Sequence, residues 1–252
     1  MIMDMQVKKY LILYYDILGY KQLLKEFRSQ DDYLKLIDDG FKLAEQIVNM
    51  YKEIKINKIV FSDNVVIAID FEYCTSEVIF KFLKMACFIQ NYLVLQSTFI
   101  RGAIVVGDLY FSKDPVYVFG QGLVDAYIIE NDQAKYLRII INDQSIKILN
   151  EKQIDKHIFI KDSDEKYFLN YMYIMGILLM DDSVEIDLKY KGIENLHNMK
   201  FIIINMINVF KNDEKVKDKY NWVARYYNRF LKMISIDKIS GLKELFIDEI
   251  AL

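Results

Sequence analysis

The run KYLILYY, residues 9–15, constrains the fold more than any other feature of the chain. It has the length of a strand, it is rich in aromatic and aliphatic side chains, and it shows no alternation with polar residues. Such a run is typical of a central strand that is buried on both faces. The run ends at Asp16, and after Gly19 the apolar residues of 20–51 follow helical spacing, with a predicted break near 29–32.

The rest of the first half continues this alternation of strands and helices. The elements predicted are a hairpin over IKINKIVF and VVIAIDF with Ser62–Asn64 at its tip, a helix over 76–96 capped by Thr75 or Ser76, a strand over 99–111 that turns at Gly107-Asp108, a helix over 120–133 and a strand over 136–142. Strands interleaved with helices indicate a sheet that is covered by helices.

Beyond about residue 150 the pattern is weaker. KYFLNYMYIM, residues 166–175, suggests a strand, whereas 193–213 and 216–235 suggest two helices. No stretch rich in proline, glycine and serine separates the two halves. We therefore expect a first domain over 1–150 and, over 151–252, a mostly helical elaboration packed on it that is not clearly a separate domain.

The composition argues against a general nucleic-acid-binding surface. The 252 residues include 33 basic and 36 acidic side chains, which gives a formal charge of −3, so no overall positive field attracts DNA or RNA. We expect no nucleic acid partner, and any phosphate has to be held locally. The cysteines, Cys74 and Cys87, lack metal-type spacing, which favours free, buried thiols in a reducing compartment.

Membrane association and a histidine metal site are also not expected. The densest apolar runs, 171–180 and 201–210, have about half the length that crosses a bilayer, and the N-terminus lacks the apolar core of a signal peptide. His157 and His197 lie far apart in sequence without companion ligands. These features predict a cytoplasmic protein without direct membrane contact.

Two aspartates stand at positions where a nucleotide site would need them. Asp16 lies where a buried strand stops and Gly19 leads towards a helix, a junction whose free N–H groups favour an anion such as a triphosphate. A carboxylate beside such an anion makes electrostatic sense when Mg²⁺ or Mn²⁺ stands between them, and Asp63 at the hairpin tip could supply the second carboxylate. The ordinary alternative is that Asp16 caps a helix and that Asp63 is only a turn residue.

Five short stretches in order also carry a family resemblance. They are YYDILGYKQLL, FSDN, IRGAIVVGD, FGQGLVDAYIIE and AKYLRIII, and the tail KYNWVARYYNRFL adds a weaker echo near 220–231. Over residues 8–145 they resemble the class III nucleotidyl cyclase domain, most closely the pyrimidine cyclases of bacterial Pycsar antiphage systems. The resemblance implies a ferredoxin-like palm of the α/β (α+β) class with a mixed, mainly antiparallel sheet, and a head-to-tail homodimer with active sites at the interface.

The resemblance also implies roles for individual residues. Asp16 and Asp63 match the metal aspartates, with the Ile17 carbonyl as a further ligand, for two Mn²⁺ or Mg²⁺ ions in each site. The other implied contacts are the amides of Leu18, Gly19 and Tyr20 for the phosphates, Phe61 for stacking on the base, and either Arg101 or Arg138 for the charge of the transition state. The alternative for Arg138 is a structural one, since a strand arginine next to Tyr136 can simply cover an apolar edge.

Two departures from the purine cyclases bear on the substrate. Asp125 and Ile129 stand where those enzymes have an asparagine and an arginine, and Ile59 stands where they read the base with a lysine, with Lys58 one residue away and facing the other side. We therefore expect UTP as the substrate, with CTP as the alternative, and a cyclic product that activates a separate effector during phage infection. A catalytically degenerate nucleotide-binding scaffold, a purine cyclase and a palm-type oligonucleotide polymerase remain as alternatives.

Overall fold

A computed structural model describes residues 7–19, 35–40, 42, 55–113, 116–234 and 242–248. The strands are β1 (Lys8–Ile17), β2 (Asn57–Phe61), β3 (Asn64–Asp70), β4 (Ile100–Lys113), β5 (Val116–Phe119), β6 (Ile139–Ile141), β7 (Phe159–Lys161) and β8 (Tyr167–Leu169). The longer helices are α1 (Ser76–Leu95), α2 (Gln121–Gln133), α3 (Asp143–Glu151), α4 (Tyr173–Met180), α5 (Ile186–Val209) and α6 (Glu214–Met233). Most of the helix predicted over 20–51 lies outside the described residues. Within that range, the described residues 35–40 are helical.

The strands form one mixed sheet. Its order is β2-β3-β1-β4-β6-β8-β7, and β5 pairs with β4 off this path. The β4–β6 pair is parallel and the other pairs are antiparallel. The predicted class, a mixed and mainly antiparallel sheet covered by helices, is confirmed.

Strand β1 is buried on both faces, as the run KYLILYY predicts. Leu11 and Leu13 face a core that includes α1, whereas Ile12 and Tyr14 face a second core that includes residues of α2. Because side chains alternate along a strand, Asp16 continues the set of Ile12 and Tyr14. The first candidate metal ligand therefore lies on the α2 face of the sheet.

Helix α2 lies unusually close to that face. A Cβ atom on Gly107 would stand 2.7 Å from the Cα of Gly122, and a Cβ on Gly122 would stand 2.9 Å from the carbonyl carbon of Gly107. The glycine pair lets α2 pack directly on β4. This corrects the prediction of a turn at Gly107-Asp108, because β4 continues through both residues and pairs with β1 as far as Leu109.

Two other predicted elements can be checked directly. Thr75 caps α1, since its side chain accepts a hydrogen bond from the amide of Val78, as predicted. The single strand predicted over 166–175 is wrong in part. Only Tyr167–Leu169 is strand, and the chain enters α4 at Tyr173, because the apolar run there fits a buried helix as well as a strand.

The C-terminal half packs around the aromatic face of α6. This face is buried with α4, α5 and the end of α1, and its members are Tyr220, Trp222, Tyr226, Tyr227 and Phe230. Strands β7 and β8 extend the sheet past residue 150, and the domain division at that point stays a prediction.

Both cysteines are free, as predicted, but only Cys87 is buried, and the prediction of a buried thiol is wrong for Cys74, which is partly exposed. By length and composition, α1 is the one helix in the described part of the chain that could cross a membrane, but most of it is buried inside the protein, as in the core helix of a soluble protein. The cytoplasmic location stays a prediction.

Candidate active site

The end of β1 and the β2–β3 hairpin bring Asp16 and Asp63 together. Ser62 has a positive φ of 57°, which suits the tight two-residue turn between Phe61 and Asn64. The amide of Ile17 donates to the carbonyl of Asp63 at 3.1 Å. The hairpin tip is therefore tied to the end of the central strand, and Asp63 lies beside Asp16.

The two carboxylates repel each other across this junction. Burial raises the pKa of Asp16, and the neighbouring charge of Asp63 raises it further, while Arg101 acts in the opposite direction. Crowded carboxylates of this kind fit a divalent cation, because a cation removes the repulsion that otherwise favours the protonated form. The pair can hold Mg²⁺ or Mn²⁺ on the chemistry of its oxygen donors.

The two aspartates do not by themselves form a complete metal cage. Across the residues that the structure describes, no group of three or more histidine, cysteine, aspartate or glutamate side chains is arranged to hold an ion. Magnesium is usually bound in proteins by one or two carboxylates together with substrate phosphates and water. The roles of Asp16, Asp63 and the Ile17 carbonyl as metal ligands stay predictions.

Arg101 lies between two acids. It is directly opposite Asp16 across the β1–β4 ladder, and its Nε atom is 3.4 Å from Oδ2 of Asp16 and 2.7 Å from Oε1 of Glu130. The shorter contact is an ion pair without hydrogen-bond geometry. The structure thus brings the predicted catalytic arginine to the predicted metal aspartates.

Glu130 is a site residue that the sequence analysis did not single out. It lies on α2, is 3% exposed, and shares the buried face of that helix with Gly122 and Ala126. Burial raises the pKa of Glu130 to about 7, and Asp16 and Asp63 add to the rise while Arg101 opposes it. The sequence did contain one signal for Glu130. It follows Ala126 by four residues and Gly122 by eight, a helical spacing that predicts all three on the face of α2 that meets the sheet.

An open and mainly apolar hollow of ≈ 350 Å³ adjoins the aspartates on the β2–β3 side. The lining residues are Tyr14, Phe61, Asn64, Leu123, Val124 and Tyr127. The hydroxyl of Tyr14 donates to the side chain of Asn64, and the Tyr14 and Tyr127 rings meet edge to face at 6.2 Å. Phe61 is exposed in this hollow and can offer a ring face to a flat ligand.

The predicted phosphate turn is only partly consistent with the structure. Gly19 has a φ of 73°, a left-handed conformation that glycine adopts without strain. The amide of Leu18, however, donates to the carbonyl of Phe99 at 2.9 Å. The assignment of that amide to a phosphate is corrected here because the N–H is already used, and Tyr20 lies outside the described residues.

Arg138 belongs to a different cluster. Its side chain is fully buried, and its two terminal nitrogens pair with Asp162 and Asp164. The guanidinium carbon lies 5.4–5.8 Å from the ring centres of Tyr136, Phe168 and Trp222. The prediction that Arg138 contacts substrate is corrected, since a guanidinium enclosed by rings and neutralised by two acids cannot reach a nucleotide.

Lys58 and Ile59 face opposite sides of the sheet, as predicted. Lys58 lines a separate hollow with Val60 and forms a 3.7 Å ion pair with Asp38. Ile59 packs with the core on the α2 face. The face that carries Asp16 and the apolar hollow therefore presents an aliphatic side chain, not a lysine, at this point of β2.

Comparison with known proteins identifies structural neighbours only. No family model and no curated protein matches the sequence. The adenylyl cyclase CyaB from P. aeruginosa is similar at 16% identity, over 66% of this chain and 96% of its own, with a TM-score of 0.48. The catalytic core of a rhodopsin–guanylyl cyclase with converted specificity, in complex with ATPαS, is similar at 14% identity over 65% and 96%, with a TM-score of 0.47.

A third structure, the monomeric guanylyl cyclase domain of the RhoGC fusion protein from the aquatic fungus Blastocladiella emersonii, is similar at 12% identity over 65% and 95%, with a TM-score of 0.45. These domains are of the class that the sequence motifs resemble. All three TM-scores are below 0.5, so this likeness carries no argument about the activity of the chain.

Proposed function

We propose that this protein is a nucleotidyl cyclase that depends on a divalent metal and converts a pyrimidine nucleoside triphosphate, UTP or CTP, into its 3′,5′-cyclic monophosphate and pyrophosphate. The observation that carries the proposal is the convergence of Asp16 and Asp63 beside Arg101 at the end of the central strand. Two crowded carboxylates next to an arginine suit a ligand that brings both cations and phosphates.

Each residue of the cluster has a defined task in this proposal. Asp16 and Asp63 hold the Mg²⁺ or Mn²⁺ ions, which when bound neutralise phosphate charge and lower the pKa of a ribose hydroxyl. The 3′ oxygen forms a bond to the α-phosphorus, the bond from that phosphorus to the bridging oxygen breaks, pyrophosphate leaves, and the hydroxyl proton passes to water. Arg101 stabilises the charge that develops on the phosphoryl oxygens.

The hollow beside the aspartates is assigned to the base. In this proposal the exposed ring of Phe61 stacks on the base. The polar groups of Asn64 are partly used, since its oxygen accepts from Tyr14 and its nitrogen donates to Asp63 at 3.2 Å. Purine cyclases read the base with a lysine at the position of Ile59. The aliphatic side chain at this position therefore supports a pyrimidine base. The purine alternative predicts the reverse preference among the four triphosphates.

A catalytically degenerate nucleotide-binding domain is the second candidate, and one observation favours it. Ile129, at the position where purine cyclases carry an arginine, is buried and packs with the core on the α2 face. No charge can come from that position. Loss of turnover with retained nucleotide binding would identify this candidate.

The quaternary arrangement and the biological role are part of the same proposal. We expect a head-to-tail homodimer in the cytoplasm with active sites at the interface, whose cyclic product binds a separate effector in antiphage defence. Support comes from the motif resemblance over residues 8–145. Sedimentation that finds only monomers in a fully active sample would contradict the shared site.

An assay with the four nucleoside triphosphates and Mn²⁺, read by mass spectrometry, tests the activity. Cyclic UMP or cyclic CMP is the expected product, and cyclic purine nucleotides or linear oligonucleotides alone would refute the pyrimidine assignment. Asp63→Asn should lower turnover by about 1,000-fold or more, with the melting temperature within a few degrees of wild type. Asp108→Asn, an exposed aspartate on β4, is the matched control and should keep full activity.

A further inference from the structure

The start of α6 lies against the residues that lead out of β1 and into β4. The ring of Tyr220 meets the ring of Phe99 edge to face, with centres 5.0 Å apart, and the carbonyl of Phe99 accepts the amide of Leu18. Two residues before Tyr220, the carboxylate of Asp218 forms an ion pair of 3.5 Å with Lys135. Lys135 lies just beyond the end of α2. These contacts place Lys219 between the Leu18–Gly19 turn and the helix that carries Glu130.

Lys219 is half-buried in this position. Among the residues that the structure describes, it has no carboxylate within ion-pair distance, whereas the other lysine at this corner, Lys135, is exposed and paired. Burial and the charge of Arg101 lower the pKa of Lys219, while Asp16 and Glu130 raise it. The ammonium group therefore lies within electrostatic range of the carboxylate cluster without being bound to it, an arrangement that an anionic ligand would stabilise.

The sheet order defines which part of a nucleotide would be near Lys219. The base hollow is formed on the β2–β3 side of Asp16 by Phe61 and Asn64, whereas Arg101 lies on the β4 side. Lys219 is on this second side, next to the turn that contains Gly19. A nucleotide with its base in the hollow and its α-phosphate at Asp16 would extend its outer phosphates towards Lys219.

We propose that Lys219 binds the β- and γ-phosphates of the substrate, and so the leaving pyrophosphate, from the same chain that supplies Asp16. This rests on the proposed function. An ammonium group is a compact charge that suits phosphate oxygens. Negative charge accumulates on the pyrophosphate as its bond to the α-phosphorus breaks, so Lys219 binds the transition state more tightly than the substrate.

The proposal gives the C-terminal elaboration a part in the site. Lys219 lies on α6, far outside residues 1–150, and adds a cation on the α2 side of the cluster, where Ile129 supplies none. Helix α6 is held by its buried aromatic face, so the backbone at Lys219 is fixed relative to the cluster.

Binding of pyrophosphate with Mn²⁺, measured by calorimetry, tests the proposal without any need for turnover. Lys219→Gln should weaken pyrophosphate binding about 30-fold or more, leave UMP binding within about twofold, and lower turnover by a similar or larger factor. Lys219→Arg keeps the charge and should retain most of the pyrophosphate affinity. Lys215→Gln, an exposed lysine on the same helix, is the matched control and should behave as wild type.

Each outcome separates this proposal from the proposed function. A wild-type protein that makes no cyclic nucleotide but binds pyrophosphate in a manner dependent on Lys219 refutes the cyclase and retains the phosphate contact. An active wild type whose Lys219→Gln variant has unchanged pyrophosphate affinity overturns the contact. Equal losses in the Gln and Arg variants, or in Lys219→Gln and Lys215→Gln, also overturn it, because packing or general charge would then explain the effect.

Discussion

Arg101 on β4 and Arg138 just before β6 lie close together but occupy opposite kinds of environment. The amide of Gly102, which follows Arg101, donates to the carbonyl of Arg138 at 3.1 Å. The Arg138 side chain is fully buried between two aspartates and three aromatic rings. The Arg101 side chain is 25% exposed and faces a cluster that contains Asp16, Asp63 and Glu130.

The pKa shifts of the neighbouring acids, and not the number of acids, distinguish the surroundings of the two arginines. Around Arg138 both acids accept hydrogen bonds from the guanidinium, and Asp162 also accepts one from the indole N–H of Trp222 at 2.7 Å. Around Arg101, burial and the charge of Asp63 raise the pKa of Asp16, and burial and the charges of Asp16 and Asp63 raise the pKa of Glu130. Repulsion that persists in a folded protein is characteristic of sites that bind something else.

The largest effect expected from this contrast is on stability. Arg138→Met leaves Asp162 with its charge and without its main partner, so we expect a loss of about 3–5 kcal/mol in the free energy of unfolding. Arg101→Met should cost about 1 kcal/mol or less, because Asp16 and Glu130 can take up protons when their cation is removed. Denaturant unfolding of both variants in EDTA measures the difference.

In activity the order of the two variants should be reversed, with the larger loss in Arg101→Met. Arg101→Met should lower turnover by about 100-fold or more, whereas the folded fraction of Arg138→Met should turn over at close to the wild-type rate. Equal stability losses in the two variants, or a catalytic defect confined to Arg138→Met, would break the distinction between the two arginines.

The next effect is a pH dependence that comes from Glu130. Burial first, and then the nearby aspartates, raise its pKa in the folded protein to about 7 from an ordinary value of 4.5. Between these values the folded state binds a proton that the unfolded state has released, so stability falls as pH rises from about 4.5 to about 7 and then levels off. Glu130→Gln removes this term. Without metal, the free energy of unfolding of the wild type should fall between pH 5 and pH 8 by up to about 3 kcal/mol more than that of the variant.

A matched variant controls for the loss of a charge. Glu77 is an exposed acid near the start of α1 that pairs with Lys81, and Glu77→Gln should keep the decline seen in the wild type. Mn²⁺ should flatten the decline in the wild type, because a nearby cation favours ionised Glu130. Parallel pH profiles for the wild type and Glu130→Gln would show that Glu130 is ionised like any surface acid.

Short-range patterns in the sequence predict one arginine environment much better than the other. The end of β1 near Asp16 and the hairpin tip at Asp63 follow from local strand patterns. The role of Arg101 beside them was implied by the motif resemblance, and its position depends on the β1–β4 pairing, which joins residues 85 positions apart. The position of Glu130 in the site could not be predicted in this way, because it depends on the packing of α2 on β4 through the contact between Gly107 and Gly122.

The surroundings of Arg138 depend on contacts between distant parts of the chain. Asp162 lies 24 residues away, and Trp222 reaches Asp162 across another 60. No local period or motif encodes such partners, because they are set by how the helices around α6 pack on β8. For the same reason the sequence analysis left both a substrate-binding and a structural role open for Arg138 and assigned no role to Lys219.

The smallest effect expected is at Asp164, the outer partner of Arg138. Burial raises the pKa of Asp164, but the hydrogen bond and charge of Arg138 outweigh this and hold it below the usual range. Its side chain is 38% exposed, so Asp164→Asn should cost below about 1 kcal/mol and the difference from wild type should shrink in 1 M salt. Asp162→Asn, at an aspartate that also binds Trp222, should cost more and be less sensitive to salt. Turnover should be unchanged in both variants, and a catalytic loss in Asp164→Asn without a loss of stability would mean that the Arg138 cluster, too, acts on the substrate.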